Sequence, residues 1–168
     1  MLLDADALTL IGAHPVLAQR IARRKAPTLL TPHPAEAARL LQCDTEEIQS
    51  DRVGNALRLA QAFNAMVALK GCGTVLASPD GRWRINTLGN PGLASGGTGD
   101  VLAGMTGALL AQSWPAWEAL CTAVQLHGAA ADVCVTEGKG AVGLTASELI
   151  APARSLLNTW IADIGRRR

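Results

Sequence analysis

Aromatic side chains make up 3% of the 168 residues, with four tryptophans, one phenylalanine and no tyrosine. So few rings cannot build the stacking platforms that single-stranded nucleic acid needs. A surplus of either charge is also missing: 15 Lys and Arg stand against 14 Asp and Glu, a formal net charge of +1. No field exists to gather nucleic acid or an anionic membrane surface. Cysteine is sparse and scattered. Cys43, Cys72, Cys121 and Cys134 form no C-x-x-C pair and have no histidine at ligand spacing, which argues against zinc and for reduced thiols in a cytoplasmic protein. The opening MLLDADALTL lacks a basic flank and meets Asp4 and Asp6 at once, so it is not read as a signal peptide. The stretch nearest to a membrane span is broken by Asn90, Pro91, several glycines and Pro115, and reads as a loop followed by a buried helix. Two phosphate motifs are absent as well. There is no G-x-x-x-x-G-K-[ST], and Gly97-Thr98-Gly99 lacks the third glycine of G-x-G-x-x-G.

What is present suits a globular enzyme. Hydrophobic residues reach 49%, and the length fits one domain over 1–168 with a sizeable core. Short aliphatic runs predict strands at 1–3, 28–31, 66–70, 74–78 and 83–86, the last two joined through Pro79-Asp80-Gly81 as a hairpin. Helical periodicity predicts helices near 15–25, 34–42, 51–64, 100–112, 116–136 and 146–162, the last opened by a Thr145–Glu148 capping box. Strand–helix alternation predicts an α/β fold with a mostly parallel sheet and a ligand site at the strands' C-terminal edge. Because β content crowds the first half and begins at residue 1, the chain reads as the back half of a larger α/β unit. Trp114, Trp117 and Trp160 read as core or interface anchors, His127 as a packed histidine, and Arg166–Arg168 as a solvated tail.

The segment NPGLASGGTGDVLAG, residues 90–104, carries five glycines and one carboxylate. The run VLAGMTGALLAQ after it is apolar or small nearly all round, which predicts a buried helix. The N-terminus of such a helix offers unpaired amides and a partial positive charge, a pocket for phosphate. Gly96, Gly97 and Gly99 keep Cβ atoms away from those amides and permit positive φ, and Thr98 can add a hydroxyl. Asp100 follows as an ionised carboxylate able to act as a base, or simply as the helix N-cap. From the residues alone Lys70 reads as a solvated charge, Gly71 and Gly73 as turn residues, His33 as a loop residue, and Asp4 and Asp6 as caps of the turn after a strand.

GGTGDVLAG resembles the signature of ribokinase-like small-molecule kinases. LTPHPAEAARLL (30–41), VALKGCGTVLASPDG (67–81), DADAL (4–8) and GLTASEL (143–149) narrow the resemblance to the ADP-dependent NAD(P)H-hydrate dehydratases. It implies a ribokinase-like three-layer α/β/α fold that lacks the longer N-terminal portion of family members. It also implies ADP or ATP as co-substrate with Mg²⁺, NAD(P)H hydrate as the small-molecule substrate, and a homo-oligomer such as a tetramer. Carried over by position, Asp100 is the base and a substrate contact, with His33, Asp4 and Asn90 also on the substrate side. Lys70, Gly71, Cys72, Gly73, Thr74, Gly97, Thr98 and Gly99 fall on the nucleotide side, and Glu36 near the metal. Ala35 stands where the family usually has Gly. Two alternatives stay open: a ribokinase-like kinase of a vitamin precursor or sugar, or a truncated chain that binds nucleotide without turnover.

Overall fold

Aliphatic runs too short to stand alone pair into one five-stranded sheet in the computed structural model, which describes residues 1–166. The strands β1 (Leu2–Leu3), β2 (Leu29–Leu30), β3 (Met66–Leu69), β4 (Thr74–Ala77) and β5 (Trp83–Asn86) lie side by side in chain order. β1, β2 and β3 pair in parallel and β4 runs antiparallel to both neighbours, so four of the five strands point the same way. The hairpin predicted at Pro79-Asp80-Gly81 is present. Gly81 adopts φ 89, and the Asp80 carboxylate accepts from both the backbone and the guanidinium of Arg82.

Helices cover both faces of the sheet. On one side lie α1 (Asp6–Ala13), α2 (Pro15–Ala22), α3 (Pro34–Leu41), α4 (Thr45–Ser50) and α5 (Arg52–Phe63); α6 (Thr98–Ala111), α7 (Ala116–Cys134) and α8 (Ile150–Arg166) occupy the other. The strands feed both layers by alternation. Leu30, Val67, Leu69, Val75 and Ala77 face α1–α5, while Leu29, Ala68 and Leu76 face α6 and α7. Trp117 joins the second core with Trp114 at its margin, Trp160 packs on a further cluster between α7 and α8, and no helix among the described residues is long and apolar enough to cross a membrane.

Some boundaries differ from the sequence expectation. α1 and α4 carry no strong helix signal: Ala5 (φ 49), the N-cap position of α1, offers no side-chain cap, and α4 has a single buried residue, Ile48. The last helix is delayed, because Ala146–Leu149 forms a 3₁₀ turn in which the Thr145 N–H donates to Glu148 Oε2 at 2.8 Å. α6 is not buried all round. Leu102, Thr106 and Leu109 face the core, but Gly104, Ala108 and Ala111 are open to solvent, since α6 lies at the β1 edge of the sheet with only one side covered. Arg166 ends α8 with its guanidinium 3.6 Å from Asp163, and Arg167 and Arg168 lie outside the described residues.

Candidate active site

Three parallel strands end together, and the residues just past their ends form one wall of a cleft. Asp4 follows β1, His33 comes three residues after β2, and Lys70 follows β3. Lys70 is not a solvated charge. Its Nζ donates to Asp4 Oδ1 at 2.8 Å, with side chains only 22% and 13% exposed, so Asp4 is an ion-pair partner rather than a cap. Gly99 lies against the pair: a Cβ there would stand 3.5 Å from Lys70 Nζ and 3.8 Å from Asp4 Oδ2.

The glycine-rich segment meets this wall at the start of α6. Gly97, with φ 85, is the N-cap. Among the described residues no acceptor meets the N–H groups of Gly96, Gly97, Gly99 or Asp100, while Val101 already bonds back to Gly97. The helix therefore begins with a run of open donors, as the glycine density predicts. Two expectations are corrected. The Thr98 hydroxyl is turned inward, 2.7 Å from Leu93 O and 2.9 Å from Ser95 O, so it braces the loop instead of lining an anion pocket. Asp100 is not a cap. It is exposed in the first turn, and nothing among the described residues bonds to its carboxylate.

His127, on α7, is buried as predicted, and its Nε2 lies 2.9 Å from the Thr98 carbonyl. A carbonyl only accepts, so Nε2 carries the proton. Burial pushes the ring's pKa below its ordinary value and the Lys70 charge pushes the same way, against the opposing effect of the Thr98 bond. The histidine thus ties the first residue of α6 to α7 in neutral form.

His33 caps α3. Its Nδ1 accepts from Ala35 N at 3.2 Å and Glu36 N at 3.4 Å, while Glu36 Oε2 accepts from His33 N at 2.8 Å. Glu36 is buried and committed to this box, and the described residues hold no cluster of three acidic, histidine or cysteine side chains fit for a metal. Ala35 is not among the residues with positive φ, so replacing the family's glycine costs no backbone strain. Asn90 is likewise committed: its Oδ1 accepts from Gly92 N and its Nδ2 donates to Asp132 Oδ1. Asp132 also accepts from Gly89 N at 2.9 Å. That anchor, 42 residues from Asn90, carries no local motif and is invisible in sequence.

The cleft bounded by these elements holds about 680 Å³, within the range of small-molecule sites. His33, Lys70, Gly71, Cys72, Gly73, Thr74, Asn90, Thr98 and Gly99 line it, with His127 at its floor; Asp4, Glu36, Gly97 and Asp100 stand outside the lining.

The profile of the NAD(P)H-hydrate dehydratase family matches residues 1–153. The ADP-dependent (S)-NAD(P)H-hydrate dehydratase of Neisseria meningitidis serogroup B is 46% identical over 158 residues, a match covering 94% of this chain and 53% of that protein. The ADP/ATP-dependent NAD(P)H-hydrate dehydratase of Bacillus subtilis, co-crystallized with ATP/Mg²⁺, superimposes with a TM-score of 0.79 at 34% identity, over 94% of this chain and 54% of that one. A ribokinase-like superfamily protein of Enterococcus faecalis gives 0.74 at 30% identity, over 94% and 52%. The ribokinase-like α/β/α fold is borne out, and the chain spans about half the length of these relatives.

Proposed function

This chain belongs to the NAD(P)H-hydrate dehydratase family, and from that membership we propose that it restores NADH and NADPH from their hydrates with ADP as phosphoryl donor. One observation carries the proposal: the open amides of Gly96, Gly97, Gly99 and Asp100 at a helix start, beside the Lys70–Asp4 pair and next to the cleft. Such donors cost no rearrangement when negative charge builds on a transferring phosphoryl group.

In the proposed reaction the Lys70–Thr74 loop holds the nucleotide, with Asp4 keeping the Lys70 ammonium beside Gly99. His33 contacts the hydrated ring, and Asn90 fixes the opposite loop. Asp100 takes the proton of the hydrate hydroxyl as that oxygen attacks the β-phosphorus of ADP. The bond to the bridging oxygen breaks and AMP leaves with its electron pair. Electrons of the ring nitrogen then expel phosphate from the phosphorylated hydrate, giving the reduced cofactor, AMP and phosphate. The described residues build no protein cage for Mg²⁺, because Glu36 is tied to the His33 cap. A divalent ion fits here only as one carried on phosphate oxygens, the usual habit of Mg²⁺.

Four scattered cysteines with no C-x-x-C pair suit a reducing compartment, so the cytoplasm is the proposed setting. A homo-oligomer is proposed for the assembly, to be read from light scattering. The deciding experiment incubates the chain with hydrated NADH and ADP and follows reduced nicotinamide and AMP together. Both should appear in equal amounts. Phosphorylation of a small alcohol without cofactor repair would favour the kinase reading, and ADP binding with neither product would favour a binding-only chain.

A further inference from the structure

The loop between β3 and β4, residues 70–73, has its two kinds of backbone group treated unequally. Arg52, the first residue of α5, reaches the last carbonyl of β3 and two of the loop: Nη2 lies 3.1 Å from Leu69 O, 3.4 Å from Lys70 O and 3.4 Å from Gly73 O. Nη1 is anchored on Gln49 Oε1 at 2.8 Å. Of the two other loop carbonyls, that of Gly71 accepts from Thr74 Oγ1 at 3.1 Å, and that of Cys72 meets no donor among the described residues. By contrast, the N–H groups of Gly71, Cys72 and Gly73 meet no acceptor among the described residues, and all three residues line the cleft. Gly71 is fitted to the guanidinium. Its φ is 148, and a Cβ there would come within 2.9 Å of Arg52 Nη2.

Carbonyl oxygens repel an anion and amide protons attract one, so a loop whose carbonyls at both ends are held by one cation leaves its central amides to attract an anion. We propose that Arg52 is a positioning residue of the cleft. By holding the carbonyls of Leu69, Lys70 and Gly73, it leaves the Gly71, Cys72 and Gly73 amides to a phosphate oxygen of the bound nucleotide. The proposal rests on the nucleotide reading of the cleft and adds a second amide rim to that of Gly96–Asp100. Lysine cannot keep both attachments, because the carbonyls are met by Nη2 and Gln49 by Nη1, and lysine has a single donor nitrogen.

The test compares the 168-residue chain with Arg52→Gln, Arg52→Lys and Gly71→Ala by amide NMR, first without ligand and then with ADP. Without ligand, Arg52→Gln should shift amide resonances within 69–74 and leave those of 97–100 in place. Gly71→Ala, which drives a methyl at the guanidinium, should give the same pattern with Arg52 intact. With ADP, the wild-type chain should respond at both rims. Arg52→Gln should bind ADP roughly tenfold more weakly, since bonds from a charged group are lost, with the 97–100 response retained and a rise in KM for ADP rather than a fall in kcat. Arg52→Lys should fall between the two. Ligand-free spectra of Arg52→Gln and Gly71→Ala that match wild type over 69–74 would overturn the proposal, as would unchanged ADP affinity in Arg52→Gln. Silence of the wild-type chain toward ADP at both rims would instead overturn the nucleotide reading, while the ligand-free comparison still decides whether Arg52 shapes the loop.

Discussion

At the scale of single residues, what matters is which polar groups are already engaged. Asp4, Glu36, Asn90 and Thr98 all have partners within the fold, whereas the Asp100 carboxylate has none among the described residues. A base must be free to take a proton, and Asp100 alone of these four-plus-one meets that condition. Asp100→Asn keeps the shape and the amides but removes the base, so turnover should fall on the order of a hundredfold or more with ADP binding by calorimetry nearly unchanged. His127 leads to a pH prediction. Burial lowers its pKa in the folded chain beneath the ordinary 6.5, so at mildly acidic pH the unfolded chain holds more protons than the folded one. Stability from this group is therefore complete above 6.5 and is lost as pH falls below it. His127→Gln can still donate to the Thr98 carbonyl. Its melting midpoint should fall less steeply than wild type on acidification, and equal slopes in the two chains would refute this account.

Among the elements, α6 combines a crowded start with an open flank. Gly97 needs its positive φ of 85, and a Cβ there would lie 3.2 Å from Ala146 Cβ. Gly97→Ala should destabilise the chain by about 1–2 kcal/mol from backbone conformation alone and weaken ADP binding through the displaced amides. Further along, a Cβ at Gly104 would meet nothing within 4 Å, and no positive φ holds that residue to glycine. Gly104→Ala should therefore stabilise by roughly 0.5–1 kcal/mol through helix propensity. Chemical denaturation of the two variants should show opposite signs. A glycine-to-alanine loss at both sites would mean that the outer face of α6 is covered after all. The apolar composition of 101–112 predicts full burial because composition reports what can be buried, whereas cover depends on the neighbours. α1 and α4 escaped sequence reading for a related reason: neither has an apolar stripe and cap together strong enough to signal a helix before tertiary packing fixes it.

For the molecule as a whole, one sheet separates two helical layers and supplies alternate residues to both cores, so neither layer can lose its packing without exposing the other. We propose a single domain on that basis, and far-UV and tryptophan signals should report one coincident thermal transition. Separate transitions would divide the chain into independent units. Local order carries far: strand positions, the Pro79–Gly81 hairpin, the glycine loop, the order of motifs and the α/β class were all legible in the sequence, because each depends on periodicity, turn chemistry or missing Cβ atoms within a few residues. Tertiary structure alone decided that Lys70 meets Asp4 across 66 positions, that Arg52 gathers the carbonyls of a loop 17 to 21 residues away, and that Asp132 and His127 brace the two sides of the cleft. The physical reason is reach. A side chain's partner is set by which strand ends and helix starts converge in space, and no local pattern encodes that convergence.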